Sequence, residues 1–222
     1  MKFYFHTTPN PFKTALMLEE LGLDYETIPV DTRKGEQHKD AFRAVNPNGK
    51  VPAITEDDGT HIFDSNAIVL YLAQKHGQFL PEEKDMGETL SWFFWIATGL
   101  SPFSGQAVHF TRAHTESAYA TRRYTREIAR HYALLNERLE GRDWIAGDAY
   151  GICDIAAWGW VKMAPFVMEA EGGLSPYPNV AAWFERVNAR PAVARVDELA
   201  QQHTFKQEMD EEAMRAMFPQ NF

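Results

Sequence analysis

Short apolar runs and one helical pattern alternate in the first part of the chain. Residues 2–6 (KFYFH) and 25–30 (YETIPV) are rich in aromatic and β-branched side chains, which predicts two strands. Apolar residues recur at helical spacing from Ala15 to Leu21, and the Gly22 that follows them is typical of a helix end. This pattern predicts a strand, a helix and a second strand in that order.

The predicted start of this helix is marked by Asn10 and Pro11. Asn is favoured at the cap of a helix and Pro in its first turn, so we expect the helix to begin after the loop from Thr7 to Asn10. In that loop Thr8 supplies a hydroxyl group and Asn10 a side-chain amide. Taken singly, the first is a loop hydroxyl and the second a helix cap.

The pattern of residues 39–76 predicts the remaining elements of a first domain. The predicted elements are a short helix, two strands and a longer helix, at residues 39–45, 51–54, 60–63 and 65–76. Asp58-Gly59 between the two strands is the short-range signal for a hairpin, and Gly77 ends the last helix. The order βαβ-ββα predicts an α/β domain of thioredoxin-like arrangement, with a mixed four-stranded sheet and helices on its faces.

From residue 86 onward the pattern is helical, with no convincing strand. Helical periodicity covers roughly residues 86–110, 116–140, 152–170, 179–190 and 192–202. The predicted organisation is a thioredoxin-like domain, a linker, an all-α domain and a tail, over residues 1–78, 79–86, 87–204 and 205–222. The apolar residues of the tail suit a short helix that covers a groove or a neighbouring subunit, and a frayed terminus is the alternative.

Composition narrows the class of protein. Of the 222 residues 45% are hydrophobic, as in soluble globular proteins, and the apolar runs are too short to span a bilayer. A net charge of −9 leaves no basic footprint for nucleic acid. A single cysteine and the absence of a signal-peptide pattern favour a cytoplasmic protein with no internal disulfide. The eight histidines form no H-E-x-x-H pattern, so no metal site is expected.

Residues 46–68 hold the clearest candidate chemistry. Val51-Pro52 places a proline inside a strand-like run, where it cannot donate to a sheet ladder. Asp64-Ser65 stands at a predicted helix start, where backbone N–H groups bind a carboxylate. Ser65 can donate to such a carboxylate while Asp64 pairs with an amine. The alternative is that either residue only caps the helix.

These residues resemble the glutathione-binding half of the glutathione S-transferase family, whose signature is a V-P bond followed by an acidic residue and Ser at a helix start. The resemblance implies a cis Val51-Pro52 bond, with the backbone of Val51 holding the cysteinyl part of glutathione. It also implies that Asp64 and Ser65 hold the γ-glutamyl amine and carboxylate. The family commonly has Glu where this chain has Asp64, and the shorter arm could weaken or re-aim the amine contact.

Further motifs are similar to the nu-class bacterial glutathione transferases, of the disulfide-bond oxidoreductase type. They are T-P-N before the first helix, N-G-K-V-P-A-I, and W-F-F-W at 92–95 followed by G-L-S-P-F-S-G-Q at 99–106. This resemblance implies a homodimer, with Thr8 and Asn10 near the glutathione sulfur and Gln37 on the glycyl carboxylate. The glutathione-binding set that follows is Gln37, Lys50, Val51, Pro52, Asp64, Ser65 and Arg123.

Several positions also have a plainer role. Arg123 lies in a charged helical pattern and Lys50 in a polar loop, so each could simply be solvated, and Gln37 in its polar loop carries little independent information. Tyr4 lies inside the first strand, where packing is its expected role. Cys153, the single thiol, is expected to be buried and inert.

Any glutathione enzyme must stabilise a thiolate. A free thiol with a pKa near 8.5 is about 3% ionised at pH 7, and lowering that pKa by two units takes about 2.7 kcal/mol. Two hydrogen-bond donors near a helix N-terminus, here Thr8 and Asn10, can supply this.

The first loop has no cysteine, so we expect glutathione to be the co-substrate whose sulfur reduces small disulfides. Weaker conjugation to electrophiles or peroxide reduction would use a second-substrate pocket, lined in part by the aromatic segment 92–110, which is otherwise mostly core. The alternative is a non-catalytic glutathione-binding regulatory module with the same fold.

Overall fold

The computed structural model describes residues 1–113, 116–169 and 172–222. Contacts divide the chain into two units, the first formed by residues 1–72 and 192–222 and the second by residues 73–191. The boundaries predicted from the sequence follow the order of elements along the chain. The division by contacts instead groups residues 192–222 with the N-terminal residues.

The first unit contains a four-stranded mixed sheet. Its strands β1 to β4 are Lys2–Phe5, Glu26–Pro29, Ala53–Thr55 and His61–Phe63, in the order β2-β1-β3-β4. β1 pairs with β2 in parallel, whereas β1 with β3 and β3 with β4 are antiparallel. The predicted sheet is confirmed. Tyr4 in β1 packs against the ring of Phe42, as expected from its place inside the strand.

Helices make up the rest of the described structure. In chain order α1 to α11 are Pro9–Leu21, Asp40–Arg43, Ser65–His76, Met86–Trp95, Ser101–Val108, Ala118–Arg138, Ile152–Val161, Ala164–Val167, Pro178–Asn188, Pro191–Gln201 and Glu211–Met217. In the described part of the second unit no strand occurs, so the predicted all-α part is confirmed. A search of the described helices finds none with the length and apolar character needed to cross a bilayer.

Helix α1 begins two residues earlier than the sequence predicts. Thr8 is its N-cap, with extended backbone angles of φ −134° and ψ 161°, and Pro9 is its first residue. The prediction that Asn10 caps this helix is therefore wrong. The physical reason is Pro9, which disfavours a helical conformation at Thr8 and has its own φ already set for a helix. The predicted end at Gly22 is confirmed by its left-handed φ of 63°.

The long helical pattern predicted over 86–110 is interrupted by two π-helical turns, at Ile96–Leu100 and His109–Ala113. The first turn brings Gly99 against the buried ring of His131, and a Cβ atom at Gly99 would lie 2.5 Å from His131 Nε2. Gly99 is therefore required by close packing. Such turns are often found at functional sites.

A buried carboxylate organises the core of the second unit. Asp154 is fully buried and accepts hydrogen bonds from the backbone N–H groups of Ile145 and Gly151, both at 3.0 Å, and from Trp183 Nε1 at 2.8 Å. Its neighbour Cys153 is 2% exposed, and burial raises the pKa of its thiol. The expectation of a buried cysteine is confirmed, and the raised pKa makes this thiol a poor nucleophile.

The tail ends in an ordered helix within the first unit. Helix α11 has Asp210 as its N-cap, whose Oδ1 accepts from the Ala213 N–H at 2.8 Å. Phe205 and Ala213 are buried, at 4% and 0% exposure. Of the two alternatives for the tail, a covering helix or a frayed end, the structure shows the helix.

Candidate functional site

Two polar side chains lie at the N-terminus of α1, where Thr8 is the N-cap and Asn10 is the second residue of the helix. Thr8 and Asn10 are both half-buried, and the Thr8 hydroxyl makes no capping hydrogen bond to α1. Prolines at positions 9 and 11 have no N–H group, so this terminus offers fewer backbone donors than usual. An anion at this terminus would therefore depend on side-chain donors more than an ordinary helix start requires.

One turn further along α1 lies a buried lysine. Lys13 is 1% exposed, and its Nζ donates to Asn66 Oδ1 at 2.8 Å. Burial lowers the pKa of Lys13 from 10.5 to about 7, and the charge of Asp64 opposes part of that shift. This contact joins the start of α1 to the start of α3, the two helix ends that carry the predicted sulfur and γ-glutamyl contacts.

The turn at the start of α3 has an uncommon backbone. Asp64 has φ 66°, in the left-handed region, which is sparsely populated by residues other than glycine. Its Oδ1 accepts from the backbone N–H groups of Asn66 and Ala67, at 2.9 and 3.2 Å. The carboxylate is exposed, whereas Ser65 is 6% exposed. The capping alternative for Asp64 is thus realised in the structure, and its exposed carboxylate can still meet a ligand amine.

The segment before β3 is shaped by a buried asparagine. Asn46 is 2% exposed, and its Nδ2 donates to the Lys50 carbonyl at 2.6 Å while its Oδ1 accepts from the Asn48 N–H at 2.9 Å. The Val51-Pro52 peptide bond that follows is cis, as the resemblance implies. Val51 is half-buried, Pro52 is buried and the side chain of Lys50 is exposed.

The same segment contacts the loop that carries Gln37. A Cβ atom at Gly49 would lie 3.3 Å from the Gln37 carbonyl oxygen, and Gly49 has a left-handed φ of 63°. Both the close approach and the backbone angle favour glycine at this position. Gln37 therefore lies beside the turn that leads to Lys50 and Val51.

Gln37 is not open to solvent. Its side chain is 4% exposed, and its Nε2 donates to the carbonyl of Ala216 in α11 at 3.0 Å. His38 Nε2 lies 3.0 Å from the same carbonyl. Among the described residues, Gln37 Oε1 has no hydrogen-bond partner. The predicted glycyl-carboxylate residue is therefore covered by the tail.

Further contacts hold the tail on the loop 31–38. Arg33 Nη1 donates to the carbonyls of Lys206 and Gln207, at 2.8 and 2.9 Å, and Asp31 Oδ2 accepts from the Lys206 N–H at 2.8 Å. Phe205 stacks on His6, with ring centroids 4.1 Å apart. Most of the hydrogen bonds involve tail backbone groups, which fixes the course of the chain more than the identity of its side chains.

His6 is buried under this ring. It is 4% exposed, and within the described part of the chain neither of its ring nitrogens has a hydrogen-bond partner. Burial lowers the pKa of His6 from 6.5 to about 4, the charge of Asp31 raises it in part and that of Arg33 lowers it. At neutral pH the stacked ring is therefore uncharged.

The predicted residues thus fall into two groups. The first unit contains the predicted catalytic and binding residues of the N-terminal part, which are Thr8, Asn10, Gln37, Lys50, Val51, Pro52, Asp64 and Ser65. Within it, direct contacts link Lys13 with Asn66, and Gln37 with the turn before Lys50. Arg123 lies exposed on α6 in the second unit, and its contact with a ligand stays a prediction.

The second unit carries a row of ring contacts around the first π-helical turn. His131 stacks on Trp95 at 5.2 Å and contacts Phe103 at 5.3 Å. Tyr124 contacts Phe103 at 6.3 Å and stacks on Phe110 at 5.3 Å. His131 is buried, whereas the other four rings are half-buried. The aromatic segment is therefore only partly core, and its role in a second-substrate pocket stays a prediction.

Sequence reasoning missed Lys13, Asn46, Asn66 and the tail contact with Gln37. A signal for Lys13 was present, because position 13 lies three residues before Leu16 and so falls on the buried face of α1. Asn46 and Asn66 give no such signal, since each acts through a contact that depends on the folded backbone. Within residues 1–113, 116–169 and 172–222 no group of three or more His, Cys, Asp or Glu side chains is placed to hold a metal ion.

Comparisons with known proteins match most of the chain to one family. The family models for the N-terminal and C-terminal domains of glutathione S-transferase match residues 7–75 and 100–191. The disulfide-bond oxidoreductase YfcG of Escherichia coli is 43% identical over 200 residues, which cover 86% of this chain and 92% of that protein.

Two solved structures are similar over most of the chain. A glutathione transferase from Burkholderia graminis with two glutathione molecules bound per subunit has a TM-score of 0.83 and 36% identity, over 91% of this chain and 89% of that one. A glutathione transferase from Pseudomonas putida with one glutathione disulfide bound per subunit has a TM-score of 0.82 and 32% identity, over 88% of this chain and 89% of that one.

Proposed function

Since this chain belongs to the glutathione S-transferase family, we propose that it is a cytoplasmic, homodimeric enzyme that uses the thiolate of bound glutathione to reduce small disulfides. The observation that carries this proposal is the junction of β1 and α1. It presents Thr8 and Asn10 at the start of α1 and has no cysteine, and the single cysteine of the chain is buried at position 153. The reactive sulfur must therefore come from the co-substrate.

Glutathione would lie along the loops of the first unit. The Val51 backbone before the cis Pro52 holds the cysteinyl part, and the start of α3 binds the γ-glutamyl end. There the Ser65 hydroxyl donates to the carboxylate and the Asp64 carboxylate pairs with the amine.

The remaining predicted contacts complete the binding set. Gln37 and Lys50 serve the glycyl carboxylate, and Arg123 supplies a further charge. In this proposal each carboxylate of the tripeptide meets a donor and its amine meets an acceptor, which matches the charges of glutathione.

The sulfur would lie at the N-terminus of α1. Donation from the Thr8 hydroxyl and the Asn10 amide, together with the positive end of the helix dipole, favours the thiolate over the thiol. Because Pro9 and Pro11 cannot donate, these two side chains carry most of the hydrogen bonding available there. A reduction of the thiol pKa by two units, about 2.7 kcal/mol, makes the thiolate the dominant form near neutral pH.

The reaction then follows thiol–disulfide exchange. The bound thiolate attacks one sulfur of the substrate disulfide, a mixed disulfide with glutathione forms, and the other half leaves as a thiolate that takes a proton from water. A second glutathione thiolate attacks the glutathione sulfur of that mixed disulfide. The products are two substrate thiols and glutathione disulfide, so two glutathiones are oxidised for each disulfide reduced.

The names of the relatives support this reaction. YfcG is a disulfide-bond oxidoreductase, and the two similar structures hold two glutathiones or one glutathione disulfide, which are the two thiols consumed and the disulfide formed in the overall reaction. A site able to hold two tripeptides fits a reaction in which the second thiolate attacks near the first. Conjugation to electrophiles and peroxide reduction would be weaker side activities.

Turnover of a small disulfide, coupled to glutathione reductase, tests the proposal. We expect Thr8→Ala plus Asn10→Ala to lower the rate about 100-fold or more, since each change removes a donor to a developing charge. Thr7→Ala in the same loop is the matched control and should keep the rate within about twofold. An absence of turnover in the unaltered protein, or an unchanged rate in the double variant, would reject the proposal.

A second candidate is a regulatory module that binds glutathione without turnover. It shares the binding residues of the first candidate and differs from it only in the absence of turnover. Retention on immobilised glutathione with no activity towards disulfides, peroxides or aryl halides would distinguish this candidate from the enzyme.

A further inference from the structure

We propose that the tail segment 203–218 is a strap that closes the glycyl subsite, and that it must leave Gln37 before a glycyl carboxylate can be bound there. This inference rests on the proposed function, because it names a control of the same site. Its consequence is a specificity: the strap weakens binding of glutathione but not of γ-glutamyl thiols that lack the glycine.

The tail and a glycyl carboxylate compete for the side-chain amide of Gln37. Gln37 Nε2 donates to the Ala216 carbonyl at 3.0 Å, and the side chain is 4% exposed. The side chains around it leave almost no surface for a second acceptor to approach. A carboxylate that is to accept from this amide must therefore replace the Ala216 carbonyl.

The docked strap has limited stability of its own. Gln37 Oε1 has no hydrogen-bond partner among the described residues, and an unpaired buried acceptor destabilises the docked state. Helix α11 has only seven residues, and a helix that short does not persist alone in water. The docked strap is thus stabilised by its contacts with the loop and is free to unfold when those contacts are exchanged for a ligand.

The strap is held by two separate anchors, so its C-terminal part can detach by itself. Its N-terminal anchor is the Phe205 ring stacked on His6, together with the Lys206 backbone on Asp31. Its C-terminal anchor is α11, with Ala213 fully buried and Ala216 on Gln37. These anchors lie on opposite sides of Asp210, so α11 can detach while Phe205 stays in place.

The experiment compares two thiols on full-length protein. Isothermal titration calorimetry measures the affinity of glutathione and of γ-glutamylcysteine for the unaltered chain and for Ala213→Glu. A glutamate at this buried position undocks α11. If the strap is open in about 10–20% of molecules, Ala213→Glu should raise the affinity for glutathione about five- to tenfold, while the affinity for γ-glutamylcysteine stays within about twofold.

A control variant of the same helix separates a failure of the strap proposal from a failure of the proposed function. Arg215→Gln alters an exposed residue of the same helix, whose contacts are with Glu211 and Phe222, and should change neither affinity by more than about twofold. Equal gains for both thiols, or no gain for glutathione, would overturn the strap. If neither thiol binds any of the three proteins, the proposed function itself fails, and the strap with it.

A second measurement needs no variant. Limited digestion with trypsin reports the release of α11 through cleavage after Arg215, which lies within that helix. We expect saturating glutathione to raise the rate of this cleavage at least threefold, and saturating γ-glutamylcysteine to leave it unchanged. Protection by glutathione would show that the ligand binds with the strap in place and would overturn the proposal.

Discussion

The two ends of the candidate site are built in different ways. The γ-glutamyl end is the start of α3, where Asp64 caps the helix and Asn66 receives a hydrogen bond from the buried Lys13. The glycyl end is the loop around Gln37, which is held by backbone groups of the tail. One end is a fixed helix terminus supported from within the core. The other is a loop whose polar side chain, Gln37, already donates a hydrogen bond to the tail.

This difference indicates which end of the site would determine the affinity for glutathione and which end would regulate it. A side chain fixed by buried neighbours is preorganised and loses little freedom when a ligand binds. A side chain that must first break a hydrogen bond within the protein contributes to the binding free energy only the difference between its new hydrogen bond and the old one. We therefore expect the γ-glutamyl end to supply most of the binding free energy and the glycyl end to regulate it.

The largest expected effect is a change in the free energy of unfolding with pH, caused by Lys13, which supports the γ-glutamyl end. The pKa of Lys13 is about 7 in the folded chain and 10.5 when unfolded, so between these values the unfolded chain binds more protons and stability rises with pH. The free energy of unfolding should rise by about 3–4 kcal/mol from pH 7 to pH 10 through this residue. Urea unfolding at several pH values should show a slope that Lys13→Met abolishes.

The control for this effect is Lys2→Met, which alters an exposed lysine of the same unit and should keep the slope of the unaltered protein. If Lys13→Met and the unaltered protein show parallel pH dependences, Lys13 is not the titrating group and the contrast between the two ends loses its physical basis.

The next effect concerns the glycyl end and its strap. His6 has a pKa of about 4 when folded and 6.5 when unfolded, so its contribution to stability is complete above pH 6.5 and is lost as the pH falls through 4. The charged groups that act on it are Asp31, which opposes the shift, and Arg33, which adds to it. The free energy of unfolding should fall by about 2–3 kcal/mol from pH 6.5 to pH 4 through this residue.

Replacing His6 by Phe preserves a ring beneath Phe205 and removes the titration. We expect His6→Phe to flatten the acid limb of the stability curve measured by urea unfolding, while His61→Phe, an exchange at an exposed histidine, leaves it unchanged. An acid limb of equal slope in His6→Phe would assign the loss of stability to other groups.

A smaller effect tests the charge at the γ-glutamyl end directly. Asp64→Asn keeps a side chain that can cap α3 and that tolerates the φ of 66°, and it removes only the negative charge. Loss of the pairing with the ligand amine should weaken glutathione binding by about 2 kcal/mol, or roughly 30-fold. Calorimetry measures this loss. Unchanged affinity would leave Asp64 as a helix cap and nothing more.

The smallest effect is expected at Gln37 itself. Gln37→Ala removes a donor to the glycyl carboxylate but also removes an anchor of the strap, so the two changes offset one another. We expect the affinity for glutathione to change by less than about fivefold, which is under 1 kcal/mol. A loss as large as that of Asp64→Asn would show that both ends bind alike, and the comparison would then fail.

Much of the fold was predictable because it depends on local signals. The strands around Tyr4 and Ile54, the hairpin at Gly59 and the helix ends at Gly22 and Gly77 each follow from side-chain pattern or from a left-handed turn. The start of α1 was misplaced because two adjacent signals, Thr8-Pro9 and Asn10-Pro11, both fit a helix start, and the earlier one forms the cap. The first π-helical turn was not predictable, since no local signal records that Gly99 packs against His131, 32 positions along the chain.

By itself the sequence determined the order of the elements and the loops in which Thr8, Val51 and Asp64 stand, because short-range sterics and hydrogen bonding decide those features. Only the tertiary structure decided that Lys13 is buried against Asn66, 53 positions away, and that Gln37 is taken by the carbonyl of Ala216, 179 positions away. Both contacts exist because distant backbone segments pack together. No local pattern of side chains records which carbonyl or amide will meet a given residue after folding.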